Sequence, residues 1–369
     1  MTAAHPTLSE VISVLERMYD PAWARDWDAV GLVCGDPDVL VRRVLMAIDP
    51  GPSVIEEALS WHADLILTHH PLLFRAVHGV PSTSPKGRLV HQLIRSNCAL
   101  YTAHTNADAA APGVSDALAR VLGLTDLSPL APDPAEPQDR LVAVVRGEAV
   151  GRAIEAAVTA GATAASPRPG CLGCGDEGAE QQRIEVMTPR RIRGEVISAV
   201  QAADPGFVEP PEVFELAPGG GPRGIGRVGR LSTPTTLREF AMLVAEALPS
   251  TTQGVRVAGD PTAEVSRVAV CGGSGDSLLD AARTSGVDVY VTADLRHHPA
   301  FDVREHGGDG PMFLVDVAHW ASEWPWLAGA ANRLAGAMEA AGTPIEVHVS
   351  VKCTDPWTFR VPSPGGVVR

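Results

Sequence analysis

The sequence predicts an α/β protein, a discontinuous three-layer α/β domain interrupted by an inserted ferredoxin-like α+β domain. Strand-like and helix-like patterns alternate through both ends of the chain, which implies a mostly parallel sheet with helices on its faces. Two runs rich in proline, glycine or acid, SPLAPDPAEPQD (128–139) and APGGGPRGIGRVG (217–229), bracket the middle and read as the hinges of an inserted module. The expected boundaries are 1–130 and 225–369 for the outer domain and 131–224 for the insert.

From Leu8 to about Tyr19 the apolar spacing is that of an amphipathic helix started near Thr7 or Ser9, and VRRVLMAID (41–49) follows as a buried strand. VIEEALSWHA reads as a helix, DLILTHH (64–70) as a short apolar strand ending in two histidines, GRLVHQLIRSN as a helix and CALYTAH (98–104) as another strand. In the middle, LVAVVR, a helix near Val150–Ala160, RIEVMTP, a helix near Ile192–Ala203 and FVEPPEVFEL give a strand-helix-strand-helix-strand order. A small ferredoxin-like fold is the economical reading of it. Beyond the second hinge LREFAMLVAEAL is helical, VSRVAVCGG (265–273) and VDVYVTAD (287–294) are strands, and FLVDVAH (313–319) is a strand running into a helix. In such folds ligands gather at the carboxyl ends of strands.

Composition narrows the function. The chain has 369 residues, 45% of them hydrophobic, enough for two cores and too apolar for disorder. Thirty basic residues against forty-four acidic ones give a net charge of −14, which argues against generic nucleic-acid binding through many phosphate contacts. Only Lys86 and Lys352 are lysines, which points to G+C-rich coding. Six scattered cysteines fit a reducing compartment better than a disulfide framework. No uninterrupted run of 18 apolar residues is present, and MTAAHPTLSEV lacks the order of a signal peptide, so a soluble cytoplasmic protein with no membrane partner is expected.

The histidines cluster. THHPLLF (68–74) sets His69 and His70 at a strand end. Adjacent side chains on a regular strand face opposite ways, so the pair serves one site only where the strand breaks, or serves two neighbouring metals; otherwise they are surface or capping histidines. AHTNAD (103–108) places His104 and Asp108 just past another strand, and in DVAHWASEWPW (316–326) His319 and Glu323, four apart, share a helix face. Singly, each pair is as readily a solvated or core feature. Three strand ends that each offer nitrogen or carboxylate ligands point to cations. Imidazole and carboxylate without thiolate suit two divalent ions of zinc, iron, manganese or nickel, about 3.5–4 Å apart. Five protein ligands leave open positions for water, which two cations acidify into a hydrolytic nucleophile.

Other motifs weigh less. CLGC (171–174) has no second cysteine pair nearby and reads as an incidental loop pair, and GGSGDS (272–277) is a tight turn before it is a phosphate cradle. Trp320, Trp324 and Trp326 suit a core or a subunit interface.

The blocks THHPLLF, AHTNADAAAPGVSDALARVLGL, CGGSGDSLL, VTADLRHHPA and HWASE, with WDAVGLVCGD (27–36) ahead of them, resemble the Nif-three-like dinuclear-metal family of GTP cyclohydrolase 1 type 2 homologues. The resemblance spans roughly 8–130 and 225–369. It implies that His69, His70, Asp108, His319 and Glu323 ligate metal in a toroidal homohexamer. His104 then sits at the metal edge as a supporting group or proton shuttle, and Asp294 and His298 line the cavity above the metals. Ala293 and Ala29 depart from the family's glycine and asparagine, and neither is a ligand. The insert resembles the family's CutA- or PII-like domain, with DPGFVEPP (204–211) in place of its usual motif.

Two functions follow. One is a metal-dependent hydrolase acting on a nucleotide-like or other small substrate through a metal-bridging hydroxide, with His104 or Glu323 moving the proton. The other is a non-enzymatic hexamer for metal binding, delivery or interaction. An open site with a polar lining favours the first, and a site sealed by Phe74 and the tryptophans favours the second.

Overall fold

The computed structural model of the chain describes residues 5–134, 137–171, 181–205, 210–216, 220–305 and 312–361. It divides into two compact units, Met1–Pro132 with Pro222–Arg369, and Asp133–Gly221.

The first unit opens with α1 (Leu8–Met18), started by a capping box in which the Thr7 hydroxyl accepts from the Glu10 amide and the Glu10 carboxylate accepts from the Thr7 amide. There follow β1 (Gly31–Cys34), β2 (Arg43–Ala47), α2 (Pro52–Ser60), β3 (Leu65–Thr68), α3 (Pro85–Arg95), β4 (Ala99–Thr102), α4 (Thr105–Ala109), α5 (Val114–Val121) and β5 (Thr125–Pro134). The second unit carries β6 (Gln138–Arg146), α6 (Val150–Thr159), β7 (Ala164–Cys171), β8 (Gln181–Pro189), α7 (Arg193–Ala203) and β9 (Glu212–Glu215). The first unit resumes with β10 (Gly220–Thr236), α8 (Leu237–Ala247), β11 (Arg256–Ala258), β12 (Glu264–Ser274), α9 (Leu279–Thr284), β13 (Val289–Ala293) and α10 (His297–Glu305). It ends with β14 (Phe313–Val317), α11 (His319–Glu323), α12 (Pro325–Ala340) and β15 (Glu346–Val349).

Where the sequence suggests one sheet, the first unit holds two, in the orders β1-β4-β3-β2-β15 and β11-β14-β13-β12-β10-β5. The first is built on four parallel strands, β15-β2-β3-β4, and the second on three, β12-β13-β14. The two ends of the chain are interlocked: β15 pairs with β2, and β5 lies on the edge of the second sheet. Met46, Leu67 and Tyr101 of the first sheet share one core with Val270, Val291 and Val315 of the second, together with Leu15, Leu118, Phe240 and Leu327 from α1, α5, α8 and α12. The opposite faces are covered too: Leu45, Ile66 and Leu100 pack on α2 and α3, and Ala269, Tyr290 and Leu314 pack in a cluster with residues of α9 and α10. Burial on both faces explains why these strands are apolar throughout, each large side chain contributing roughly 1.5–3 kcal/mol.

The two parallel cores repeat one another. The Asp64 carboxylate accepts from the amides of Arg42 and Arg43, and the Asp288 carboxylate accepts from those of Ser266 and Arg267. The Asp64 amide donates to Arg43 O and the Asp288 amide to Arg267 O. The alignment of β3 on β13 then equates Thr68 with Thr292 and His70 with Asp294, while β12 bulges between Val270 and Ser274 where β2 runs on regularly.

The second unit is a four-stranded antiparallel sheet in the order β7-β8-β6-β9, with α6 and α7 packed on Leu141, Val145, Ile184 and Val186. Its β-α-β-β-α-β order is the split-βαβ arrangement and has one strand more than the sequence reading. The extra strand, β7, contains Pro167 and lies at the sheet edge, where a missing N–H is tolerated. The two runs read as hinges also contribute to strands, β5 and β10. In β10, Gly226 has φ +69, and a Cβ on Gly229 would stand 2.9 Å from Thr125 O, so glycine there admits the close approach of the neighbouring strand. Among the described residues no helix is long and apolar enough to cross a membrane. Cys174 and the centre of DPGFVEPP lie outside the described residues.

Candidate metal centre

All the predicted ligands lie at the carboxyl ends of the parallel strands. β3 stops at Thr68, whose hydroxyl donates to His70 O at 2.9 Å, and the strand break lets both following histidines turn into one site. β4 delivers His104 and, one helical turn on, Asp108; β14 delivers His319 and Glu323 the same way.

Each imidazole is held by its Nδ1. His69 Nδ1 donates to Ala103 O at 2.9 Å, and since a carbonyl only accepts, the Nε2 lone pair faces the site. His70 Nδ1 is 2.7 Å from Asp49 Oδ1, His104 Nδ1 is 2.9 Å from Asp28 Oδ1, and His319 Nδ1 is 2.8 Å from Asp294 Oδ2. Carboxylate or carbonyl behind the ring, with the opposite nitrogen free, is how proteins orient metal-binding histidines.

The Nε2 atoms of His69, His70 and His319 converge on Glu323, which is buried at 3% exposure. Its Oε1 is 2.9 Å from His319 Nε2 and 3.4 Å from His69 Nε2, and its Oε2 is 3.2 Å from His70 Nε2. Asp108 Oδ1 lies 3.6 Å from His69 Nε2, and the His70 and His319 Nε2 atoms are 3.3 Å apart. Two donor sets result, His69-His70-His104 and His70-His319-Glu323, each gathered within 4.8 Å. Buried His69 Nε2 and Glu323 Oε2 have no hydrogen-bond partner of acceptable geometry. Buried polar atoms are rarely left so, and a cation between them would satisfy both. The donor chemistry and the orphaned atoms therefore fit divalent metal.

Electrostatics agree. Burial opposes charge on His70 and His319, but Glu323 with Asp49 or Asp294 outweighs it and pushes them up to about 10 and about 11. Glu323 is held well below the usual carboxylate range because the three imidazoles overcome its burial. Asp108 is pushed up, chiefly by burial. Without metal, the site gathers positive charge as protons.

Beside the donors lies a cavity of about 390 Å³, lined by His104, Asp108, His319 and Glu323 and by the hydroxyl residues Thr105, Ser115, Ser274 and Ser277, with Trp27 at its wall. Phe74 is 52% exposed, so it does not seal the site, and Trp320 and Trp326 are core residues, Trp326 Nε1 donating to Tyr19 Oη.

The structure brings His104 closer to the donors than an edge position. It separates the other two expected cavity residues: Asp294 supports His319 from behind, and His298 is exposed on α10 with its ring against His297, outside the cavity lining. The phosphate-cradle reading of GGSGDS is not met, because the amides of Gly272, Gly273 and Gly275 donate to Ser115 Oγ, Ser322 Oγ and Ala293 O. Gly273 has another role. At φ +71, a Cβ there would stand 2.3 Å from Glu323 Oε1 and 3.2 Å from His319 Nε2. Sequence reasoning also passed over Asp28 and Asp49, although Asp49 closes a strand-end motif and Asp28 lies in WDAVGLVCGD.

The sequence profile described as Duf34/NIF3 (NGG1p interacting factor 3) matches residues 6–356. A protein of Mycobacterium tuberculosis named GTP cyclohydrolase 1 type 2 homolog is 47% identical, covering 95% of this chain and 97% of its own. One of the same name from Streptomyces coelicolor is 40% identical, covering 97% and 96%. The crystal structure of a Bacillus cereus protein related to NIF3 superposes with a TM-score of 0.81 at 32% identity, covering 97% of this chain and all of the other. The two-sheet architecture and the strand-end cluster thus occur in a chain that belongs to the Duf34/NIF3 family.

Proposed function

We propose that the protein is a metal-dependent hydrolase with a dinuclear centre, acting as a homohexamer on a nucleotide-like or other small substrate. The observation that carries the reading is the open, hydroxyl-lined cavity alongside the donor cluster, which a storage site has no use for. His69, His70, Asp108, His319 and Glu323 would hold the ions. Bound there, two divalent cations supply Lewis-acid activation of water and of a substrate oxygen. Glu323, kept ionised, suits a ligand rather than an acid. The proton falls to His104, which lines the cavity with Nδ1 anchored on Asp28 and Nε2 free. The Ser274 and Ser277 hydroxyls bind and orient polar substrate groups, those of Thr105 and Ser115 being engaged by Asp28 and the Gly272 amide. The names of the relatives favour a purine nucleotide among the substrates to try.

Elemental analysis of purified protein, paired with depletion of a nucleotide and phosphoester mixture, tests the reading. Two ions per chain are expected, fewer in His69→Ala and Glu323→Ala, with turnover lost in both. His104→Gln should lose turnover while keeping the ion gathered by His70, His319 and Glu323. Metal uptake with no metal-dependent turnover of any compound would favour the binding-protein reading instead.

A further inference from the structure

We infer that Thr354 is a positioning residue for the metal centre, and that loading of the centre and docking of the C-terminal segment 350–361 favour one another. The inference rests on the metal-centre reading above. His70 is the histidine common to both donor sets, so its orientation governs both. That orientation is set by Asp49 Oδ1 behind its Nδ1 at 2.7 Å, and the other oxygen, Asp49 Oδ2, accepts a hydrogen bond from the Thr354 hydroxyl. A donor 305 residues away thus fixes the rotamer of the carboxylate that fixes the imidazole.

The clamp on His104 is built differently. Asp28 closes its second oxygen on the amide and hydroxyl of Thr105, the residue next to the histidine itself. That clamp travels with its ligand, whereas the clamp on His70 is complete only while the end of the chain is seated.

The segment has few other ties. Ser350 is held through its amide on Met46 O, its hydroxyl on Glu57 and its carbonyl on Trp324 Nε1. Beyond it Val351, Trp357, Phe359 and Val361 are 67–79% exposed, so little apolar contact secures the stretch. Thr354 to Asp49 is therefore a sizeable share of what seats it. Asp355, next along, has a buried Oδ2 with no hydrogen-bond partner and feels the charges of Asp49, His319 and Asp294, so cations bound in the centre would offset its charge. By linkage, whatever the seated segment adds to metal affinity, bound metal returns to the seating of the segment.

Zinc titration of the full-length, metal-depleted chain against a chromophoric chelator, with amide hydrogen exchange of 350–361 followed with and without zinc, tests this. Thr354→Val should weaken zinc binding by about tenfold, the range for removal of an outer-shell partner, and Thr354→Ser should restore it. Phe359→Ser, on an exposed side chain of the same segment, should leave affinity unchanged. Zinc should slow exchange of the segment in wild type and fail to do so in Thr354→Val. Equal zinc affinity of wild type and Thr354→Val, or exchange of 350–361 indifferent to zinc, overturns this inference while leaving the hydrolase reading standing. A wild-type chain that takes up no zinc, manganese, iron or nickel overturns both.

Discussion

The two parallel cores of the first unit, β2-β3-β4 and β12-β13-β14, have the same backbone plan and contribute to the candidate metal centre in unequal ways. The first supplies His69, His70, His104 and Asp108; the second supplies His319 and Glu323. At matched positions the roles are exchanged. His70 is a donor clamped by Asp49, while its counterpart Asp294 is itself the clamp, on His319. Where β12 bulges, in the second core, Gly273 is bare because Glu323 and His319 fill the volume a side chain would take. The third strand of each core leads into a His-x-x-x-acid pair, displaced by one residue between the halves, so both pairs project from a first helical turn. One scaffold thus gives ligand, clamp or empty space at equivalent strand ends, and the residue placed there decides which.

The largest break in this arrangement is Glu323→Ala. All the imidazoles that meet in the centre, other than His104, lie within 3.4 Å of this carboxylate, so its loss should remove bound metal altogether and abolish metal-dependent turnover. Elemental analysis reads the outcome, and full metal content in the variant would show that the first half suffices alone. Filling the cleared space of one core and neutralising the clamp of the other give the next effects. Gly273→Ala drives a Cβ into Glu323 Oε1 and should weaken metal binding by about 100-fold, while Asp49→Asn, which keeps the shape of the clamp and removes its charge, should weaken it by about tenfold. The reverse order in a metal titration would mean that the clamp matters more than the cleared space.

How much of this was legible beforehand follows from where the signals lie along the chain. The apolar runs of β2, β3, β4, β12, β13 and β14 and the histidines at their ends are local patterns, and they read correctly as strands whose ends gather side chains that could hold a metal. β5 and β10 did not, because proline and glycine there serve a sheet edge and a close strand approach, and the same residues ordinarily mark turns. That two sheets stand in place of one is invisible locally, since a strand buried on both faces reads the same in either. The repeat is hidden because only features such as Asp64/Asp288 and Thr68/Thr292 persist in both copies. The clamps were missed for a different reason. Asp28 meets His104 across 76 residues and Thr354 meets Asp49 across 305, and no periodicity connects such pairs.

A third test sets the protons of the two halves against metal. His70, from the first half, and His319, from the second, are pushed up to about 10 and about 11 in the metal-free site, with burial opposing and Glu323 prevailing. A histidine whose folded pKa lies above its unfolded value near 6.5 adds stability that is complete below that pH and lost as the pH rises through the folded value. The melting temperature of metal-free protein should therefore fall between pH 7 and about 10 on this account, and metal, which replaces those protons, should flatten the fall. Metal affinity should rise over the same window as protons cease to compete. Thermal scans at several pH values, with and without zinc, read both trends, and a metal-free melting temperature that climbs with pH would contradict the charge state assigned to the pair.

The smallest expected effect probes the repeat itself, away from the ligands. Asp64 and Asp288 each accept two backbone amides and touch no donor, so Asp64→Ala and Asp288→Ala should each leave metal content unchanged. Each strands a pair of N–H groups at the start of a parallel strand pair, for a loss of roughly 1–3 kcal/mol in denaturant unfolding. Comparable losses would mean that the two cores are equivalent as scaffolds and differ only in what they carry at the strand ends. A large loss from one and none from the other would mean that one sheet holds the unit together while the other is carried by it. The shared core of Met46, Leu67, Val270 and Val291 argues for comparable losses, because side chains of both sheets close the same interior and neither set can loosen without opening it to the other.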